Sequence, residues 1–314
     1  MKILVAGGTG FLGGALCERF LSQGASVRAT YHNRPPRLAH KNLEWKCADL
    51  EQEEDCVSVV EDMELVVMCA ASTSGAHEIV RRPLIHLTPN VVMNARMLEA
   101  AYIAGVPRFL FLSSAAAYPP HGDVPLTEDL MFSDEPADVY YAAGWMKRYT
   151  EILCKTYATK LNPAMASVVI RPSNVYGPGD KFDWQRSHVT AAMIRRVVER
   201  QDPITIWGDG SARRDLIYID DFVDGVCKAL ESARGHLTVN IAAGETRSVI
   251  EILKTAMEID NSHDAEIKCD LTRPQTVDVL TLDTHYAQKA IGFSAQVSFR
   301  EGIRRTIDWY RKNQ

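Results

Sequence analysis

Long apolar runs are missing from this 314-residue chain, and no window approaches the roughly 18 apolar residues that a membrane-crossing helix needs. Runs of lysine or arginine are missing as well, and the formal net charge is -5, so neither nucleic acid nor a membrane surface is expected as a partner. The 7 cysteines are odd in number, scattered, and never in C-x-x-C or Cys/His ligand spacing. That excludes a disulfide framework, gives no expectation of a metal site, and makes a reducing cytoplasm the simplest location. The opening segment KILVA breaks at glycine after a few residues, which reads as a strand and not as a secretory leader. Internal repeats and low-complexity segments are also lacking. What remains, at 46% hydrophobic and 24% charged, is an ordinary folded chain large enough for a full core and a second lobe.

Apolar strand patterns occur at residues 2–6, 25–31, 43–48, 65–70, 109–112 and 166–170, separated by helical or polar connectors. Strands alternating with helices predict a parallel sheet covered on both faces. Helices are expected at 11–23, 89–104, 139–161, 189–200 and 300–311, with a short strand at 204–207 and a polar turn over GDGSARRD. The fold class is therefore α/β, a Rossmann-type doubly wound parallel sheet with a smaller interleaved C-terminal lobe that binds substrate. Residues 1–175 are assigned to the dinucleotide domain, with 215–243 returning to it, and 176–314 mainly to the lobe.

Gly7, Gly10 and Gly13 stand in G-x-x-G-x-x-G spacing between the first strand and first helix, with Thr9, Phe11 and Leu12 completing the turn. Such a turn needs positive φ, lets backbone approach a pyrophosphate, and aims a helix N-terminus at the anion. Asp49 and Leu50 after the third strand are placed near the adenine, and the small Ala70 and Ala71 after the fourth would let backbone approach the cofactor. The end of the second strand chooses between dinucleotides, because an acid there would accept from a free ribose and a base would favour a 2′-phosphate. The segment VRATYHNRPP has no acid and offers Arg28, His32, Asn33 and Arg34, so NADP(H) is favoured over NAD.

With these pieces the chain resembles the extended short-chain dehydrogenases/reductases that modify nucleotide sugars, nearly end to end. The motifs are GGTGFLG, Asn90 in PNVVMNARMLEAA, LSSAAAYP, GWMKRYTE, RPSNVYGPGD and GDGSARRDLIYIDD. Within the family, the stretch from Asn174 through Ser187-His188-Val189 to Asp215 is most similar to members that reduce GDP-linked 4-keto-6-deoxy sugars. The resemblance implies that Asn90 and the positions of Pro172 and Val175 meet the cofactor, and that Ser114 hydrogen-bonds the reacting sugar oxygen. Lys147 would hold the nicotinamide ribose and lower the pKa of a catalytic phenol. It further implies Asn174, His188, Val189, Arg196, Trp207 and Arg214 on the substrate, and a homodimer. Arg171 is expected to buttress the sheet, and Glu151 to make a helix pair or a dimer contact.

The family's tyrosine, four residues before the lysine, is here Ala143. A methyl group can neither donate nor accept a proton, so Ala143 marks either an engineered inactivation or a member that uses another acid. Ala115 and Ala116 follow Ser114 where dehydratases of the family carry an Asp-Glu pair, which argues against water loss. The cysteine that epimerising members pair with the histidine matching His188 is also replaced, by Ala116. The expected activity is thus an NADPH-dependent reduction of a nucleotide-linked, GDP-favoured, 4-keto-6-deoxy sugar. The alternatives are a nucleotide-sugar 4-epimerase that recycles bound NAD and, in another class, a non-catalytic binder of dinucleotide or sugar nucleotide.

Overall fold

The computed structural model describes residues 1–72, 84–184, 187–262, 264–272 and 277–313. Two compact units are built from interleaved stretches: Met1–Ala117, Tyr140–Arg171 and Gly225–Val239 form the first, and Tyr118–Val139, Pro172–Asp224 and Asn240–Gln314 the second.

The first unit is organised by strands β1 (Lys2–Ala6), β2 (Ser26–Tyr31), β3 (Leu43–Cys47), β4 (Leu65–Met68), β5 (Arg108–Leu112), β6 (Ala166–Pro172) and β10 (His236–Ile241). They form one sheet in the order β10-β6-β5-β4-β1-β2-β3. Each registered pair from β3 through β6 is parallel. The order reverses direction between β1 and β4, the switch point where α/β sheets of this kind open a crevice at their carboxyl ends. Strands buried on both faces need continuous apolar runs, and Leu65–Met68 is buried at every position. The helices are α1 (Phe11–Ser22), α2 (Glu53–Val60), α3 (Leu84–Ile103) and α4 (Tyr141–Thr159). Leu16, Cys17, Phe20 and Leu21 bury one stripe of α1. One core cluster joins Leu4, Val66, Met97, Leu98, Phe109, Phe111, Cys154 and Val169 across the sheet, α3 and α4.

Two boundaries differ from the sequence reading. Helix α3 is already formed at Leu84 and carries Pro89 inside it, whereas a proline invites a start at its own position. Helix α4 begins at Tyr141 and not at 139, and Asp138–Tyr140 form a 3-10 turn with Tyr140 as the N-cap.

The second unit centres on β9 (Arg213–Tyr218), which pairs with β7 (Asn174–Tyr176) and β13 (Val279–Leu280) in parallel and with β11 (Thr246–Ser248) antiparallel. A separate pair joins β8 (Ile204–Trp207) to β12 (Ile267–Asp270). Around them lie α5 (Val189–Val198), α7 (Val249–Asp260), α8 (His285–Ile291) and α9 (Phe299–Lys312), while α6 (Ile219–Ser232) carries the chain back into the first unit at Gly225. The expected polar turn GDGSARRD is a turn only at its start, where Ser211 donates from its backbone N and its Oγ to Asp209 Oδ1. From Arg213 the chain is strand, because Asp215, though acidic and buried, accepts backbone N–H groups from Ala243 and Gly244 at 3.0 Å each. Ser248 opens α7 with a reciprocal capping box to Glu251.

Candidate functional site

At the head of the first unit the glycine turn has the geometry its spacing demands. Gly7 has φ +82 and donates its N–H to Thr30 Oγ1 at 2.9 Å, and Gly10 N–H closes back on Gly7 O at 3.0 Å. A Cβ at Gly13 would lie 2.3 Å from Gly7 O, and one at Gly7 would lie 2.8 Å from Ala70 N. The turn, α1 and the end of β4 are therefore in backbone contact, and only glycine fits at Gly7 and Gly13. These are the conditions under which the first-turn N–H groups of α1, at Phe11 and Leu12, can face a pyrophosphate. Thr9 lends its carbonyl oxygen to Arg34 Nη1 at 3.3 Å, which places an exposed cation beside the turn. His32 and Asn33, also exposed, lie next to it at the end of β2.

Arg28 is used differently from the expectation. Its Nε donates to Glu44 Oε2 at 2.8 Å, and Nη1 donates to Val59 O and Glu61 O. Arg28 pairs with Leu4 and Glu44 in mid-sheet, so its guanidinium serves the structure and is not at the strand end where a 2′-phosphate would be read. Arg34, His32 and Asn33 remain for that role. Asp49 Oδ1 accepts from Glu51 N and shapes the loop entering α2. The Leu50 side chain is a core residue, so only its backbone could serve an adenine. Asn90, buried at the start of α3, pins the loop after β4: its Oδ1 accepts from Ser72 N at 2.9 Å and its Nδ2 donates to Ser72 O at 3.0 Å.

Lys147 reaches the carboxyl end of β5, which Ser114 follows by two residues. Lys147 Nζ donates to Leu112 O at 2.7 Å and sits 4.7 Å from the Phe111 ring centroid. Ser114 Oγ accepts from Ala116 N at 3.1 Å. Ala143 lies one turn before Lys147 on α4 and is exposed, so a longer side chain at that position would have open space before it. Burial pushes the Lys147 ammonium down to about 8, and the carboxylate of Glu151 works against that shift.

Glu151 makes no surface helix pair. It is buried, and its carboxylate accepts from Arg171 Nη2 at 2.6 Å and from Ser113 Oγ at 2.5 Å. This bridge ties α4 to β5 and β6, and its charge lies one helical turn beyond Lys147. The four-residue Lys-to-Glu spacing was visible in the sequence, but nothing local announced that Arg171 and Ser113 would close on it.

The second unit holds the residues expected on the sugar nucleotide and also Pro172 and Val175, which were expected on the cofactor. Pro172 ends β6, and Asn174 and Val175 begin β7, paired with Leu216 and Ile217 of β9. His188 is the N-cap residue of α5 and Val189 its first helical residue. Of the paired arginines, Arg195 is buried and stacks 3.9 Å over the exposed Trp184 ring, while Arg196 donates to Thr205 O. Arg214 is buried and donates to Arg213 O at 2.7 Å. Trp207 ends β8 and is 48% exposed, enough to offer a ring face.

A glycine cradle between strand and helix at the switch point of a parallel sheet, with serine and lysine at the end of β5, defines the Rossmann class of dinucleotide-binding α/β proteins. The sequence profile of the NAD dependent epimerase/dehydratase family matches residues 3–242, and the chain belongs to that family. It is 28% identical over 320 residues to GDP-L-fucose synthase 1 of Arabidopsis thaliana, covering 99% of this chain and 94% of the relative. It is likewise 28% identical to dTDP-4-dehydro-6-deoxy-D-allose reductase of Streptomyces bikiniensis, covering 98% and 96%. Among solved structures, UDP-glucose 4-epimerase from Thermotoga maritima with UDP-glucose superposes with a TM-score of 0.89 at 27% identity, covering 100% of this chain and 99% of that one.

Proposed function

We propose that the protein is an NADPH-dependent reductase of a nucleotide-linked 4-keto-6-deoxy sugar, with GDP favoured as the nucleotide. The observation that carries this reading is the Lys147–Leu112 contact, which sets a half-buried cation at the carboxyl end of β5, two residues before Ser114. The cofactor's nicotinamide would supply the hydride. Gly7, Gly10 and Gly13 would cradle its pyrophosphate, Arg34 with His32 and Asn33 would meet the 2′-phosphate, and Asn90 would keep the loop after β4 in place. Ser114 would orient the keto oxygen by donating to it. Similarity to a GDP-L-fucose synthase and to a dTDP-keto-sugar reductase supports reduction of a 4-keto sugar, without deciding between the two nucleotides.

Ala143 is the weak member of the set, since neither it nor Ser114 supplies an acid with pKa near neutrality. Restoring Ala143→Tyr is expected to raise NADPH consumption on a GDP-4-keto-6-deoxy sugar by about 10²–10⁴, the range a positioned general acid contributes. Stopped-flow absorbance on the chain and its Ala143→Tyr variant checks this, and equal rates would count against the assignment. A second reading, a nucleotide-sugar 4-epimerase with tightly held NAD, is favoured by one observation. With Arg28 engaged by Glu44, the cations left to select a 2′-phosphate are few and exposed. The dinucleotide that copurifies separates the two readings.

A further inference from the structure

Strand β3 closes one edge of the large sheet, and its central residue, Trp45, belongs to none of the motifs that carry the family resemblance. A tryptophan there is most simply a large apolar body that needs covering. Trp45 does more than fill space. It lies against the glycine turn, since a Cβ at Gly8 would stand 3.1 Å from its ring atom Cζ3, and it meets the Tyr31 ring edge-on with centroids 6.2 Å apart. From the same place its indole Nε1 donates to Leu38 O at 2.9 Å.

Leu38 lies in a strap, residues 32–41, that leads from the end of β2 toward β3 without helix or strand. The strap reads HNRPPRLAHK: it holds Arg34, Arg37 and Lys41 with His32 and His40, and no acid. Like charges crowded into so short a segment repel one another, so its course has to be fixed from outside. Among the described residues, the bond from Trp45 is the single one that reaches the backbone of residues 33–39 from beyond the strap. Pro35 and Pro36 stiffen the link between that anchor and Arg34, because each fixes its own φ and holds the residue before it in extended backbone. Arg34 in turn sets its Nη1 3.3 Å from Thr9 O, in the glycine turn. One indole therefore touches the turn with its ring and ties down the cation-bearing strap with its N–H.

We propose that Trp45 is a specificity-determining residue for the cofactor, a positioning residue that holds the 32–41 strap so that Arg34 stands where the 2′-phosphate of NADPH arrives. This rests on the NADPH reading given above, and Trp45 acts through Arg34 with no phosphate contact of its own. A phosphate entering beside the strap meets a cation whose place is already set, so binding does not have to order it. NADH carries a 2′-hydroxyl and draws nothing from that cation. The indole N–H thus favours one dinucleotide and is neutral toward the other.

The test uses the full-length protein and binding alone. Trp45→Phe keeps a ring against Gly8 and removes the N–H. Calorimetric titration is expected to show NADPH binding weakened by about 3–10-fold, the effect of one lost hydrogen bond, with NADH binding unchanged. Arg34→Ala weakens NADPH binding by about tenfold or more, and adding Trp45→Phe to it weakens it little further, because the two residues act in series. A reading on the unaltered protein covers a variant that fails to fold. With isotope-labelled tryptophan, NMR in deuterium oxide is expected to show exchange of the Trp45 indole N–H slowed by NADPH and much less by NADH. Losses that fall equally on both dinucleotides make Trp45 a packing residue and overturn the proposal, as does an exchange rate that neither dinucleotide changes. A native protein that binds NADPH no more tightly than NADH overturns the cofactor reading and this proposal together. One that prefers NADPH and keeps the whole preference in Trp45→Phe overturns this proposal alone.

Discussion

Lys147 acts as a cation only while it keeps its proton, and burial has moved that proton's release down to about 8. Below that pH the ammonium is charged in both the folded and the unfolded chain. Between it and the ordinary lysine value the folded protein gives up a proton that the unfolded chain retains, so burial costs less stability as pH rises while the site loses its charge. Cofactor affinity is therefore expected to weaken as pH passes through about 8, with no matching loss of stability. Fluorescence titration of NADPH at stepped pH, beside denaturant melts, checks both halves, and an affinity flat across that midpoint contradicts the role given to Lys147. The sequence made Lys147 and Ser114 legible because both lie in local motifs. Glu151, Asp180 and the engagement of Arg28 were not, since their partners Arg171, His188 and Glu44 are brought in by the fold.

The strand, turn and helix around Gly7–Gly13 were readable for a physical reason: an apolar run, glycine at close approaches and a helical stripe are all local properties. The close approach is also where the element is fragile. Gly13→Ala would drive a methyl to 2.3 Å from a backbone oxygen that α1 cannot move without shifting β1. Overpacking of this kind is expected to cost about 1–3 kcal/mol, and dinucleotide binding should suffer with it. A thermal melt with and without NADPH measures the two effects, and an undiminished cofactor shift would argue that the turn does not hold the dinucleotide. Strand β9 escaped sequence reading by the opposite logic. Its arginines and Asp215 look like a turn until the loop at Ala243 and Gly244 supplies the N–H groups that let the acid be buried.

At the scale of the whole chain, alternation of strands and helices was enough for the fold class, but not for the bookkeeping of which stretch belongs where. Tyr118–Val139, which sequence order assigns to the first domain, is part of the second unit, because Tyr118 Oη donates to Asn240 Oδ1 at 2.7 Å and Asn240 Nδ2 in turn to Leu126 O at 2.9 Å. The first unit draws most of its last strand, β10, from residues beyond 235, and the strand's final two residues, Asn240 and Ile241, fall in the second unit. A fragment ending at Arg171 would leave the β6 edge unpaired, an open template for another chain. It is expected to self-associate, and light scattering beside the full-length protein would show it; a monodisperse, cooperatively melting fragment would refute this.

The same interleaving has a consequence for synthesis. A nascent chain emerging from the ribosome has the dinucleotide turn and most of the parallel sheet in hand after its first half, yet β6 must wait for β10 while Pro172–Asp224 is translated. Domains ordinarily fold as they emerge. Here neither unit can be finished as a contiguous piece, and the cofactor cradle exists in the cell before the sheet that carries it has closed.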